Sequence, residues 1–172
     1  MRHFVSAACG VWLAAAAPVQ AEPVVVVELF TSQGCSSCPP ADEFLAMMAS
    51  DPRILPLALH VDYWDYIGWA DKFAMAQFTD RQKAYAHAIG SRTIYTPQLI
   101  IGGADRIEGF APEETAERLR DHLGATTTVR LTVTREGDKL VIRAEADPPL
   151  TAPVRVQLVR YKPEEGFCAV RG

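Results

Sequence analysis

The chain has little positive charge, with 17 Lys and Arg against 21 Asp and Glu and a net charge of −4 at pH 7. A nucleic-acid-binding surface is usually basic, so this balance argues against that class of partner. Metal-binding motifs are also scarce. One Cys-x-x-Cys occurs, with neither a second such motif nor a His-x₃-His run, which argues against a zinc site.

Long apolar segments are lacking as well. Residues 4–17 form the main apolar stretch, and it is too short for a convincing transmembrane helix. Arg2 before it and Ala21 after it are typical of a secretory signal peptide. We therefore expect a leader at residues 1–21, a mature protein in the periplasm or outside the cell, and no stable membrane span after cleavage. An uncleaved anchor is the alternative.

Cysteine is sparse, with four residues in 172. Cys9 would leave with the leader, and the other three would then be in an oxidising compartment. If Cys35 pairs with Cys38, Cys168 is left over, and we assign it no role.

The apolar content of 49% is enough for a sizeable core. Buried strands are predicted at 24–30, 54–61 and 98–101, and a short return strand at 106–108 after the Gly102-Gly103 turn. A first helix is predicted from the helical spacing of Phe44, Leu45, Met47 and Met48, with Asp42 and Glu43 early in it, where acids favour the helix dipole. Further helices are predicted at 71–78, from a capping box at Thr79 to Gly90, and from Pro112 to about 123. This order of elements predicts an α/β, thioredoxin-like domain over residues 22–124.

The sequence pattern changes after this domain. Three runs alternate apolar and polar residues, which predicts a three-strand antiparallel β appendage at 125–163 with one apolar face: Val129, Leu131 and Val133; Leu140, Ile142 and Ala144; Val154, Val156 and Leu158. We expect this appendage to be incomplete, its apolar face to pack on the first domain or on a second copy, and residues 164–172 to be an irregular tail.

The Cys-x-x-Cys motif lies where a strand leads into a helix. Backbone N–H groups and the dipole at a helix N-terminus stabilise a thiolate, so Cys35 is predicted to attack and Cys38 to resolve the mixed disulfide. The alternative is a structural disulfide, but so short a loop constrains the unfolded chain little.

Two further residue positions bear on this chemistry. Thr96-Pro97 begins a predicted strand opposite the cysteine loop; if the bond is cis, the Thr96 backbone can pair with a bound peptide. The alternative is an ordinary trans proline at a strand start. Glu28 is an acid in an otherwise apolar strand, where it could take the proton of Cys38. The alternative is a glutamate that reaches the surface or forms a salt bridge with an arginine.

An aromatic segment follows the second strand at residues 60–71. Trp64, Tyr66 and Trp69, with Tyr63, could form a substrate-binding wall at the carboxyl edge of the sheet. The alternative is that at least two of these aromatic side chains pack the loop onto the domain. His60 could instead join Cys35 and Cys38 to hold a soft ion such as Cu(I).

Four motifs carry a family resemblance: VELFTSQGCSSCPPAD, HVDYWDYIGWAD, RQKAYA and YTPQLIIGG. Over about residues 24–161 the chain resembles a secreted bacterial family catalogued as domain of unknown function 1223. The resemblance implies a thioredoxin-like fold with an appended β region and implies no activity. The end of the chain, EEGFCAVRG, is unlike the continuation of that family, which indicates a truncated or frameshifted tail.

The residues together predict an exported thiol–disulfide oxidoreductase that needs no cofactor. Its substrates would be protein or peptide disulfides, and its redox partner is left open. Ser36-Ser37 between the cysteines leaves the direction of electron flow open too. Two alternatives stand beside it: a non-catalytic binding module with a structural disulfide, and a copper-handling protein.

Overall fold

The computed structural model describes residues 19–20, 24–152, 154 and 156–162. Its strands are β1 (Val19–Gln20), β2 (Val25–Thr31), β3 (Ile54–His60), β4 (Gln98–Ile101), β5 (Asp105–Glu108), β6 (Val129–Glu136) and β7 (Lys139–Ala146). Its α-helices are α1 (Pro39–Met48), α2 (Ala76–Ala88) and α3 (Pro112–Gly124), and a 3₁₀ turn spans Asp65–Ile67. Among these described helices, none has the length and apolar character to cross a membrane.

Four strands form a mixed sheet in the order β3-β2-β4-β5. β2 and β3 are parallel and are joined through α1, whereas β4 is antiparallel to β2 and forms a hairpin with β5. This arrangement confirms the α/β class and is consistent with the thioredoxin-like domain expected from the order of elements.

The alternation of side chains along β2 gives the sheet two different buried faces. Val27 and Leu29 pack with α1 residues such as Leu45, and with Leu119 of α3, on one face. Phe30 belongs to a second cluster, against which Tyr85 of α2 packs. The helix that follows the cysteines and the helix α2 therefore lie on opposite faces of the sheet.

The predicted pair of helices at 71–78 and from Thr79 is wrong, because one helix, Ala76–Ala88, covers the second half of that stretch. The Thr79 hydroxyl does not cap a helix start. It donates to Asp62 Oδ1 at 2.5 Å and accepts the Asp62 N–H at 3.2 Å, which ties α2 to the loop after β3. The helix ends before Gly90, as predicted, and Gly90 takes the left-handed backbone conformation (φ 72°) that favours glycine.

The chain divides into two compact units, with breaks at 22/23, 126/127 and 153/154. The smaller unit is an antiparallel sheet in the order β1-β6-β7. Its register sets Leu131 opposite Ala144 and Val133 opposite Ile142, so the predicted apolar face of the hairpin is confirmed. What that face packs on stays a prediction.

The third strand predicted for the smaller sheet is wrong. Val154, Val156 and Leu158 are exposed and form no strand. The outer edge of β6 pairs instead with β1, where Val19 lies opposite Val133, inside the segment expected to be a leader. The outer edge of β7 has no partner strand among the described residues, and nothing in the structure explains why Val154, Val156 and Leu158 do not pair with it.

Candidate functional site

Cys35 and Cys38 form a disulfide at the start of α1, with their Cα atoms 5.4 Å apart. The helix begins at Pro39, where a missing N–H costs nothing because the first-turn N–H groups have no helical partner. The Cys38 carbonyl accepts the N–H groups of Ala41 and Asp42 at 2.9 and 3.1 Å. The pair thus lies at a helix N-terminus, as predicted. Cys35 is 3% exposed and Cys38 is fully buried.

The loop before the disulfide is held by polar and apolar contacts. The Gln33 N–H donates to Asp71 Oδ2 at 2.7 Å. A Cβ atom at Gly34 would lie 3.1 Å from Ile67 Cδ1 and 3.2 Å from Trp64 Cβ. Glycine at this position therefore lets the aromatic segment approach the cysteine loop closely.

The Thr96-Pro97 bond is cis. Gln98 lies opposite Phe30 in the β4–β2 register, so the preceding Pro97 lies beside the end of β2, where the cysteine loop starts. Trp64 Nε1 donates to Thr96 Oγ1 at 2.7 Å. The aromatic segment is therefore bonded to the proline loop as well as packed on the cysteine loop.

The aromatic segment divides into packed and exposed side chains. Tyr63 and Trp64 pack against the Phe30 cluster, so the expectation that at least two aromatic residues anchor the loop is confirmed. Tyr66 and Trp69 are 82% and 52% exposed. These two side chains are the part of the predicted wall that a partner can reach.

Glu28 is buried on the α2 face of the sheet. Its carboxylate accepts hydrogen bonds from Arg81 Nε at 2.6 Å, Arg81 Nη2 at 3.1 Å and the Tyr85 hydroxyl at 2.5 Å. Burial, first, and the nearby carboxylate raise the pKa of Tyr85 to about 12, while the hydrogen bond to Glu28 raises the pKa of Arg81. These contacts favour the salt-bridged alternative for Glu28; its proton-acceptor role stays a prediction.

His60 is held by a carboxylate rather than by sulfur. Its Nδ1 lies 2.6 Å from Asp71 Oδ2, and both side chains are almost fully buried. Burial acts to raise the pKa of Asp71, but hydrogen bonds from Gln33, His60 and Phe73 outweigh it and lower the pKa. Within the described residues, no three His, Cys, Asp or Glu side chains are grouped to hold a metal ion. The copper-binding alternative with His60 therefore has no support in the geometry.

Asp42 is the site residue that sequence reasoning missed. It was interpreted only as an acid that favours the dipole of α1. Burial raises its pKa, and the charges of His60 and Asp71 act on it. Its spacing of four residues from Cys38 places both on one side of the helix. That spacing is the signal that could have identified it.

Comparison with known proteins agrees with the sequence motifs. A family described as "Protein of unknown function (DUF1223)" matches residues 26–172. The chain belongs to this family. The match continues past residue 161, so the expectation that the resemblance stops there is wrong. Residues 163–172, with Cys168, lie outside the described part.

A solved structure from this comparison is the X-ray crystal structure of a protein from Agrobacterium tumefaciens, 42% identical with a TM-score of 0.61. The match covers 71% of this chain and 56% of that chain. The present chain thus spans little more than half of the length of that crystallised chain. No curated protein matches this chain.

Proposed function

We propose that this DUF1223 protein is an exported thiol–disulfide oxidoreductase that acts on protein or peptide disulfides through Cys35 and Cys38. The observation that carries the proposal is the disulfide at the N-terminus of α1. The aromatic segment approaches the loop before it at Gly34, and this segment exposes Tyr66 and Trp69. Such a helix terminus stabilises the thiolate that must leave when the disulfide opens.

The exchange starts from the oxidised pair. A substrate thiolate attacks Cys35 Sγ, the Cys35–Cys38 bond breaks, and Cys38 leaves as a thiolate. A second substrate thiolate then attacks the substrate sulfur of the mixed disulfide and releases Cys35. The substrate leaves oxidised, and the protein holds two reduced cysteines. The reverse sequence reduces a substrate disulfide, and the redox partner decides which direction prevails.

The peptide substrate would lie between two parts of the site. The Thr96 backbone, beside the end of β2, offers main-chain groups to an extended peptide. Tyr66 and Trp69 offer apolar contact beyond it. Side-chain selectivity would then come from these two aromatic residues, and the main-chain contacts would accept any sequence.

The burial of both sulfurs favours one competing function, a binding module whose disulfide is structural. The two are separated by equilibrating the protein with glutathione buffers and measuring the fraction of reduced Cys35–Cys38 pair by thiol labelling. A redox-active pair changes state within the range of glutathione potentials and oxidises or reduces a dithiol peptide catalytically. Cys35→Ser abolishes this activity, whereas Cys168→Ser, the matched control, does not. A pair that stays oxidised throughout that range would support the binding module.

A further inference from the structure

The proton that Cys38 exchanges needs an acid–base group. Two carboxylates are compared as candidates: Glu28 of β2, which is buried, and Asp42 of α1, which is partly buried. Glu28 lies on the α2 face of the sheet, and its carboxylate already accepts hydrogen bonds from Arg81 and Tyr85. Arg81 Nε, at 2.6 Å, and the Tyr85 hydroxyl thus occupy the Glu28 carboxylate on the α2 face, whereas the disulfide lies at the start of α1.

Asp42 lies in the first turn of α1, on the face that carries the disulfide. Its N–H donates to the Cys38 carbonyl at 3.1 Å, so its backbone position is fixed relative to Cys38. The side chain is partly buried, and no ion pair with Lys or Arg occurs for it among the described residues.

The charged groups that face Asp42 are Glu43 of α1, His60 at the end of β3, and Asp71 of the loop before α2. Burial, the largest effect, and the two acids favour its neutral form, whereas a hydrogen bond from the Thr31 side chain and the charge of His60 favour the carboxylate. Asp71 holds His60 at 2.6 Å and also accepts the Gln33 N–H. The cysteine loop, His60 and the surroundings of Asp42 are therefore linked through one carboxylate.

We propose that Asp42 is the acid–base group for Cys38, and that the His60–Asp71 pair positions it. This inference rests on the proposed function. When a substrate thiolate attacks Cys35 and the disulfide breaks, the electron pair goes to Cys38 Sγ and the Asp42 carboxyl gives it a proton, directly or through one water molecule. In the reverse step the Asp42 carboxylate takes the proton from the Cys38 thiol as its sulfur attacks the mixed disulfide on Cys35. The proton thus moves between Cys38 and Asp42, and no further reactant is needed.

The test compares Asp42→Asn with Glu43→Gln, which neutralises the adjacent, exposed acid of the same helix, and with Glu28→Gln. Cys38 is titrated by thiolate absorbance in a background that carries Cys35→Ser and Cys168→Ser, so that no other thiol of the mature chain absorbs. Asp42→Asn lowers the pKa of Cys38, because a neighbouring negative charge is lost, and turns a two-step titration into a single step. In the complete pair it slows resolution of the mixed disulfide by about 10²-fold. Glu43→Gln changes both measurements much less than Asp42→Asn does, because it removes a neighbouring charge but keeps the Asp42 carboxyl. Glu28→Gln tests the competing carboxylate, and Asp42→Glu, which keeps the carboxyl, restores part of the rate.

Equal titrations of Cys38 in Asp42→Asn and Glu43→Gln would overturn the inference, as would a rate loss confined to Glu28→Gln. The titration of Cys38 does not require catalytic turnover, so the role of Asp42 and the oxidoreductase activity are tested independently. Coupling between Asp42 and Cys38 in a pair that never cycles would refute the oxidoreductase. Catalytic turnover without this coupling would refute the role of Asp42 alone. If Asp42→Asn does not fold, His60→Gln serves in its place, and it must change the shape of the Cys38 titration.

Discussion

The Glu28–Arg81 contact predicts a large and specific loss of stability in Arg81→Met. That substitution removes two of the three hydrogen bonds that the buried carboxylate accepts, and leaves only the Tyr85 hydroxyl. Breaking a buried ion pair on one side costs about 3–5 kcal/mol, because a buried charge is left without its partner. Arg81 is 38% exposed, and water can replace part of the interaction, so we expect about 2–3 kcal/mol.

Urea unfolding followed by fluorescence measures this loss, with the slope of the transition checked for constancy. Lys83→Met is the matched control, because Lys83 is on the same helix and pairs with Asp80 at 3.8 Å with both side chains exposed; it should change nothing measurable. Glu28→Gln removes the buried charge itself, so adding it to Arg81→Met should recover part of the loss. Equal stability of Arg81→Met and Lys83→Met would refute the reasoning. Slower disulfide exchange in Glu28→Gln would return the proton-acceptor role to Glu28.

Three further predictions concern the loops around the disulfide. Thr96→Val removes the acceptor of the Trp64 N–H at 2.7 Å and should destabilise the domain by about 1–3 kcal/mol; proteolysis should then become faster within residues 62–71. Tyr66→Ala removes a side chain that is 82% exposed, so stability should be unchanged, while the KM for a peptide disulfide rises and that for a small disulfide does not. Asp71→Asn should lower stability at neutral pH. The pKa of Asp71 is lowered in the folded protein, so its contribution is present above the unfolded pKa and is lost as pH falls through the folded value. The difference between wild type and Asp71→Asn should therefore shrink in acid, and a difference that is constant with pH would contradict this.

Strands β2, β3 and β4 of the larger unit could be predicted from the sequence because each is a short, mainly apolar run. The polar strand β5 could be predicted only from the Gly102-Gly103 turn before it. Thr79 shows why α2 was predicted wrongly: a hydroxyl that looks like a helix cap locally is used by Asp62, 17 residues away. Such a contact between distant residues leaves no local pattern.

In the candidate site, too, the residues with a local sequence pattern could be predicted, and those that depend on distant residues could not. The Cys35–Cys38 pair and Pro97 are evident from their place in the order of elements. Glu28 looked catalytic because only its own strand was visible, and its counterion Arg81 comes 53 residues later. Asp42 looked like an ordinary first-turn acid because its surroundings come from β3 and from the loop that holds Asp71.

The hydrogen bonds of the Asp71 carboxylate affect how the two cysteines behave after their disulfide is reduced. It accepts the Gln33 N–H at 2.7 Å and the Phe73 N–H at 2.9 Å, and lies against His60, and none of these contacts involves sulfur. The loop before Cys35 would therefore keep its position on Asp71 after reduction. Cys38 would stay at the start of α1, because the Ala41 and Asp42 N–H groups bond to its carbonyl and not to its sulfur. Two thiols held in this way have a high effective concentration for each other, as linked reactants do. Re-formation of the Cys35–Cys38 disulfide then competes well against attack by any outside thiol, so mixed disulfides with a partner should be short-lived. Trapping a partner as a stable mixed disulfide should therefore require substitution of Cys38.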